Sequence, residues 1–202
     1  MLDSAITGAI KDAVDAGFDE QVAFTGELVR FPSRRGREHT AQDFMATAMR
    51  EQGLAVDRWQ IDVDQISHLP GFSPVYTNYD NAFNVVGSHR CESPASNPGG
   101  HSLVLNGHID VVPEGPVEMW TTPPYEPRIE GGWMYGRGAG DMKAGLAGAL
   151  YALKALRNQG LATGGGCLPA VRGGGGMHRQ RRPGLYRAGL SGRGGADPRT
   201  LG

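Results

Sequence analysis

Residues 102–112, SLVLNGHIDVV, lead from a short apolar run directly into a histidine and an aspartate two positions apart. A continuous apolar run of this length is typical of a strand inside a sheet that is covered on both faces. Side chains at positions i and i+2 of a strand point to the same side, so we expect His108 and Asp110 to emerge together at the carboxyl end of the strand. In an α/β sheet, that end carries the functional loops.

The His108–Asp110 pair suits a metal site. A neutral imidazole binds a divalent cation through one ring nitrogen, while a nearby carboxylate fixes the ring by accepting a hydrogen bond from the other nitrogen. A His-x-Asp pair alone more often has a structural or surface role. The assignment therefore depends on a second feature elsewhere in the chain.

The second feature is YGRGAGDMKAG, residues 135–145, in which three glycines precede Asp141 at the start of a helical pattern. Glycines permit turns that other residues resist, and they let the backbone pass close to an ion or a substrate. Asp141 is placed either to cap the helix, which is the commoner role of such an aspartate, or to bridge metals. The run does not match the spacing of a dinucleotide-binding fingerprint or a P-loop, and the chain contains no Gly-x-Ser-x-Gly elbow.

Helical and strand patterns surround both features. Helical apolar spacing covers residues 4–16, 18–31 and 38–52, and a strong helical pattern runs over residues 142–160. Strands are predicted at LAVDRWQIDV, FNVVGSH and SLVLNGH, and a hairpin is predicted at IEGGWMYGRG. Helices interleaved with buried strands predict an α/β sandwich.

Composition limits the class of protein. Of the 202 residues, 39% are hydrophobic, which is enough for a packed core. No apolar stretch is long enough for a membrane span, and the charged N-terminus does not resemble a secretory signal, so we expect a cytoplasmic location. Cys91 and Cys167 have no paired spacing that would indicate a disulfide framework or a zinc ribbon.

Charge and glycine are distributed unevenly along the chain. Residues 163–202 contain seven arginines and one acidic residue, a net charge of +6, so residues 1–162 carry −7 of the total of −1. The same 40 residues hold 13 of the 32 glycines. We therefore divide the chain into residues 1–162 and a Gly/Arg-rich tail, residues 163–202. The tail has too few apolar residues to offset the entropy of ordering and is expected to be disordered.

The two features and the segment between them resemble a known family. The chain resembles the two-metal amidohydrolases in four places: LVLNGHIDVV, Trp120, the run PPYEP at residues 123–127, and GWMYGRGAGDMKAG. That family includes acetylornithine deacetylase, succinyl-diaminopimelate desuccinylase, aminoacylase and glutamate carboxypeptidase. LVRFPS, residues 28–33, resembles the opening helix of the family, so the likeness covers roughly residues 18–162.

The resemblance implies a zinc-aminopeptidase-like catalytic domain, a three-layer α/β sandwich with a mostly parallel central sheet. It implies that His108 binds one Zn²⁺ (or Co²⁺) ion, that Asp110 orients this histidine, and that Asp141 bridges two such ions. In the family the two ions activate a shared water and polarise the scissile amide carbonyl, and a glutamate transfers the proton of the water to the leaving amine. The implied substrate is a small N-acyl amino acid, in an acetylornithine deacetylase-like reaction of arginine biosynthesis. Family members often dimerise through a lid domain.

The resemblance ends near Gly160. The family also has a Glu-Glu pair that supplies the base and a ligand, two later ligands and a lid domain. None of these has a counterpart in this chain. After Gly160 the chain contains no glutamate, and its only histidine is His178. A free back-translation of residues 168–186, read one base later, permits a string that resembles the next strand of the family with its glutamates. We therefore hypothesise a frameshift between about Ala162 and Cys167, and we expect the chain to be a truncated, inactive hydrolase fragment.

Two alternatives stay open. The basic tail, with GRGG at residues 192–195, is an alternative site for nucleic acid, which arginines would contact through phosphates. The other alternative is a non-catalytic fragment that binds metal. Trp120 and Trp133 are expected to pack beside the site rather than bind a cofactor, and His39, His68, His89 and His101 have no metal-like spacing.

Overall fold

The computed structural model of the chain describes residues 3–70, 72, 80–89, 103–161 and 167–172. Four α-helices and six β-strands lie in these ranges. The helices are α1 (Ser4–Ala16), α2 (Phe18–Val29), α3 (His39–Glu51) and α4 (Ala144–Asn158). The strands are β1 (Ala55–Gln60), β2 (Phe83–Ser88), β3 (Leu103–His108), β4 (Arg128–Glu130), β5 (Trp133–Tyr135) and β6 (Cys167–Arg172).

The helices begin and end where local chemistry favours it. The side chain of Asp3 caps α1 by accepting a hydrogen bond from the backbone N–H of Ala5 at 2.8 Å. Gly53, with φ +72°, follows α3 and lets the chain reverse into β1. The four predicted helices are confirmed, with α2 ending at Val29 rather than at residue 31. None of the helices in the described ranges is long and apolar enough to cross a membrane.

The main sheet contains four strands in the order β1-β2-β6-β3. β1 and β6 each run antiparallel to β2, while β3 and β6 are parallel. A parallel pair needs a crossover connection, which α4 supplies between β3 and β6, whereas β2 returns beside β1. Two of these three pairings are antiparallel, so the prediction of a mostly parallel sheet is not confirmed in the described residues.

Helices α3 and α4 pack on the same face of this sheet. Val85 pairs with Val171, which in turn pairs with Gly107, so these residues share a face. A Cβ at Gly107 would meet the side chain of Leu146 in α4, and a Cβ at Gly87, two positions along β2, would meet Met49 in α3. Helices α3 and α4 therefore form one layer on this face of the sheet. The predicted third layer stays a prediction.

The hydrophobic core lies between this sheet face and the helices. Leu28, Met45, Met49 and Leu150 are buried in it together with Val85 and Val171 of the sheet. A cluster of aromatic side chains extends the core between α2, α3 and α4, where Phe24 stacks on Phe44 with ring centroids 5.0 Å apart. Burial of these side chains is the main force that holds the three helices against the sheet.

Strand β6 lies inside the segment that the sequence predicts to be a disordered tail. Residues 167–172 form it, between β2 and β3, and Val171 is buried. The prediction is wrong for these six residues, because paired strands on both sides satisfy their backbone groups and an apolar side chain joins the core. The rest of the tail, including GRGG and His178, lies outside the described residues, as do Cys91 and His101. The boundary near residue 163 stays a prediction.

Candidate metal centre

His108 is the last residue of β3, and Asp110 follows it on the same side. The Nδ1 atom of His108 lies 3.2 Å from Asp110 Oδ1 and 3.1 Å from the backbone oxygen of Asp110. Both side chains are buried. The carboxylate and the backbone oxygen of Asp110 therefore both lie within hydrogen-bonding distance of the Nδ1 atom of His108.

Asp141 reaches the other nitrogen of the same imidazole. Its Oδ1 atom lies 3.0 Å from His108 Nε2, and its side chain is 90% exposed. The backbone at Asp141 is not helical (φ −122°, ψ 95°), and α4 has no side-chain N-cap hydrogen bond. The aspartate therefore does not cap α4. The structure brings together the three residues that the sequence singles out.

Two glycines allow the 139–143 turn to approach β3. At Gly107 a Cβ would lie 2.8 Å from the Cε atom of Met142, whose sulfur accepts the backbone N–H of His108 at 3.4 Å. Gly138 has φ +79°, a conformation that favours glycine, and a Cβ there would overlap with Val111. The absence of both side chains lets Met142 rest on the end of β3, which places Asp141 beside His108.

The groups that meet at His108 fit a cation. When Nδ1–H donates to Asp110, the Nε2 atom carries a lone pair and faces a carboxylate oxygen, which is also an acceptor. Two acceptors are stable at this distance only with a proton or a metal ion between or beside them. Two ligands bound at about 2.0 Å to one tetrahedral zinc ion are themselves about 3.3 Å apart, which is close to the observed contact.

The electrostatics agree with this arrangement. The hydrogen bond that the imidazole donates to the Asp110 carboxylate is the largest influence on His108 and raises the pKa of the imidazole above its ordinary value. Burial acts in the opposite direction, and the charge of the exposed Asp141 adds to the increase. The site therefore favours positive charge at His108, either a proton or a bound cation.

The site has only two candidate ligands in the part of the chain that the structure describes. His108 and Asp141 are not joined there by a third His, Cys, Asp or Glu in a position to hold the same ion. His39 lies on α3 and His68 lies in the loop after β1.

Three further residues near the site were not identified from the sequence. Ser33 and Lys143 are both 0% exposed, and Glu38, which precedes α3, is 1% exposed. Burial raises the pKa of Glu38 to about 7 and lowers the pKa of Lys143 to about 8. Lysine and glutamate are usually surface residues, so only the burial of Lys143 and Glu38 in the folded chain reveals them.

The loop after β3 is organised around Glu114. The backbone oxygen of Glu114 accepts the indole N–H of Trp120 at 2.9 Å and the guanidinium of Arg137 at 3.1 Å, while its carboxylate accepts the hydroxyl of Tyr125 at 3.2 Å. Trp120 therefore packs in this loop, and its predicted place beside the metal site stays a prediction. The corresponding prediction for Trp133 is wrong, because its side chain is 72% exposed on the β4–β5 hairpin.

Comparison with known proteins identifies the family. Residues 104–167 match Peptidase family M20/M25/M40. The chain is 34% identical over 146 residues to N-formyl-4-amino-5-aminomethyl-2-methylpyrimidine deformylase of Halalkalibacterium halodurans, a match that covers 71% of this chain and 30% of that protein. It is 54% identical over 57 residues to succinyl-diaminopimelate desuccinylase of Methylobacillus flagellatus, covering 28% of this chain and 15% of the relative.

Solved structures show the same fold. The di-peptidase Dug1p of Saccharomyces cerevisiae superposes with a TM-score of 0.66 at 16% identity, covering 85% of this chain and 35% of that one. An M20 family metallo-carboxypeptidase of Sulfolobus solfataricus superposes with a TM-score of 0.58 at 18% identity, covering 77% and 30%.

The matched segment contains both halves of the candidate site. His108 and Asp110 lie in it, and so does Asp141. The chain spans about 30% of the length of the deformylase it matches. Members of the matched family are hydrolases, either peptidases or deacylases. The chain belongs to the M20/M25/M40 peptidase family, of which it represents an N-terminal portion.

Proposed function

We propose that the chain is the N-terminal part of a metal-dependent hydrolase that cleaves the amide bond of N-acyl amino acids. The observation that carries this proposal is the 3.0 Å approach of His108 Nε2 to Asp141 Oδ1, which puts an imidazole nitrogen and a carboxylate oxygen where they can share one cation. The relatives support the same chemistry, because a desuccinylase and a deformylase are both named for the removal of an acyl group.

Each of the three residues has a separate role in this proposal. His108 and Asp141 are metal ligands, and Asp110 fixes the imidazole so that Nε2 keeps its lone pair towards Asp141. The imidazole and carboxylate suit Zn²⁺, with Co²⁺ as the alternative ion. A bound pair of such ions would lower the pKa of a shared water and polarise the amide carbonyl.

The proposed substrate is acetylornithine or a close analogue, because LVLNGHIDVVPEG and GRGAGDMKAG most resemble the acetylornithine deacetylase branch of the family. Succinyl-diaminopimelate is the main alternative, because several of the relatives are desuccinylases. The proposed location is the cytoplasm. Dimerisation through a lid domain is proposed only for the whole enzyme.

The described residues supply two ligands and no glutamate that is placed to act as the base. We therefore propose that the 202-residue chain binds a single ion weakly and does not hydrolyse the substrate. A frameshift near codons 162–167 is the proposed reason, and resequencing the gene around codons 160–170 tests it directly. We expect the corrected frame to encode consecutive glutamates.

Calorimetric titration with zinc chloride tests the metal site. We expect His108→Ala and Asp141→Asn to weaken zinc binding by about tenfold or more, since each removes one of two ligands. His68→Ala is the matched control, because it removes an exposed histidine from a loop. Equal zinc affinity in all four proteins would reject the assigned ligands.

An activity assay tests the proposal that this chain does not hydrolyse the substrate. Purified protein whose mass matches this sequence is incubated with acetylornithine or succinyl-diaminopimelate in the presence of zinc or cobalt. We expect no turnover of either substrate. Rapid deacylation by this material would contradict the proposal that the chain is an inactive fragment, and the preferred substrate would then identify the acyl group.

A further inference from the structure

The segment Phe31–Arg34, which follows α2, lies between the two halves of the candidate metal centre. We call it the clamp segment. It contacts the chain around Asp110 on one side and the chain just after Asp141 on the other. These contacts join residues that are 76 and 112 positions apart in the sequence.

The first set of contacts involves Ser33. Its hydroxyl donates to the backbone oxygen of Ile109 at 2.7 Å, and its backbone oxygen accepts the N–H of Val111 at 2.9 Å. Arg34 and Val111 also form an isolated parallel β-bridge. Ser33 thus binds the residue before Asp110 and the residue after it, and this fixes the backbone that carries the aspartate.

The second contact involves Lys143. Its Nζ atom donates to the backbone oxygen of Phe31 at 2.7 Å, two residues before Ser33. Lys143 lies two residues after Asp141, and its side chain is completely buried. A fully buried lysine is rare, because removing an ammonium group from water is costly unless it gains a specific partner. The carbonyl just beyond the end of α2 is such a partner, since a helix C-terminus favours a cation.

We propose that Ser33 and Lys143 are positioning residues that hold the His108–Asp110 backbone and the Asp141 turn at a fixed separation. His108 lies at the end of a strand, and Asp141 lies in a turn. The strand and the turn touch at the site itself and through Met142. The clamp segment adds a third connection that passes through the buried interior. The role of these residues in metal binding rests on the proposed function. Their role in fixing the distance between His108 and Asp141 does not.

The experiment compares Ser33→Ala and Lys143→Met with Thr25→Ala. Thr25 is a matched control, because its buried hydroxyl also donates to a backbone oxygen at 2.7 Å, but within α2 and away from the site. Two measurements are made on the metal-free chain: the ¹⁵N shifts of the His108 imidazole at fixed pH, and hydrogen exchange of the Val111 amide. Both are referenced to the free energy of unfolding of each variant, measured in urea.

We expect the clamp variants to change the His108 imidazole shifts towards those of free histidine. We expect exchange at Val111 to become about tenfold faster than the loss of global stability explains, as for one lost buried hydrogen bond. Thr25→Ala should change neither quantity beyond its effect on global stability. The inference is overturned if Ser33→Ala and Lys143→Met behave like Thr25→Ala.

Two arrangements keep the result interpretable. Ser33→Ala removes a single oxygen atom and carries the test alone if Lys143→Met does not fold. Zinc alone is then added as a probe, and we expect Ser33→Ala to weaken its binding by about tenfold, as for other residues that orient metal ligands. If the wild-type chain binds no zinc but Ser33→Ala still disturbs His108, the proposed function fails and the positioning role stands.

Discussion

His108 Nε2 and Asp141 Oδ1 lie 3.0 Å apart, although the two residues are separated by 33 positions in the sequence. Asp110 occupies the other side of the same ring, with its Oδ1 atom 3.2 Å from Nδ1. The imidazole is therefore held between a buried carboxylate and an exposed one. This asymmetry makes the influence of the two aspartates on His108 separable by experiment.

Asp110→Asn should lower the pKa of His108. The hydrogen bond that His108 donates to Asp110 is the largest cause of the raised pKa, whereas the charge of Asp141 is the smallest. A histidine whose pKa is raised on folding adds stability below its unfolded pKa of about 6.5, and this contribution is lost as the pH rises through the folded pKa. The stability difference between wild type and Asp110→Asn should thus be larger at pH 5 than at pH 8.

NMR titration of the His108 ring and urea unfolding at both pH values check this expectation. Asp141→Asn is the comparison variant. Solvent screens the charge of the exposed Asp141 carboxylate, so its removal should shift the pKa of His108 less. A larger pKa decrease in Asp141→Asn than in Asp110→Asn would contradict the assigned order of influence.

Glu38→Gln should stabilise the protein above pH 7 but not below pH 4.5. Burial raises the pKa of Glu38 from 4.5 to about 7, and the nearby charge of Asp110 adds to the increase. Between these two pH values the unfolded chain loses the proton while the folded chain keeps it, so wild-type stability falls as the pH rises. The full shift corresponds to at most about 3 kcal/mol at high pH.

Urea unfolding of wild type and Glu38→Gln between pH 4 and 8 measures this effect. Glu51→Gln, an exposed change at the other end of α3, is the control and should alter stability by no more than about 0.5 kcal/mol at any pH. If the free energy of unfolding changes with pH in the same way for wild type and Glu38→Gln, then the pKa of Glu38 is not raised by folding, and the prediction is wrong.

Gly138→Ala should destabilise the protein by about 2–4 kcal/mol. A residue with a side chain is strained at φ +79°, and the new Cβ would overlap with Val111, so the cost of the backbone conformation and the cost of overpacking add. Because Val111 follows Asp110, we also expect the variant to move the turn that carries Asp141 away from His108.

Gly132→Ala provides the control for backbone strain. Gly132 has φ +82°, but its Cβ would meet nothing within 4 Å, so only the backbone cost of about 1–2 kcal/mol applies. The difference between the two variants in urea unfolding measures the close contact with Val111. Equal destabilisation would mean that this contact does not constrain the turn.

Local patterns in the sequence predicted the local structure. The apolar spacing of the four helices, the glycine turn between β4 and β5 and the strand before His108 depend on residues a few positions apart, so they are readable from the sequence. The side that His108 and Asp110 share follows from the alternation of side chains along a strand. The proximity of Asp141 was expected only from the resemblance to a family.

Tertiary structure decided the features that depend on distant residues. The position of β6 between β2 and β3 contradicts the predicted disorder of residues 167–172, and the two antiparallel pairings were not predicted either. The burial of Lys143 and Glu38 has no local pattern, because it depends on which surfaces cover them after the chain has folded. The sequence by itself determined the four helices, strands β1 to β5 and the shared side of His108 and Asp110. The distances between those side chains were set by packing among α2, β3 and the turn before α4, where residues far apart in the chain exclude water together.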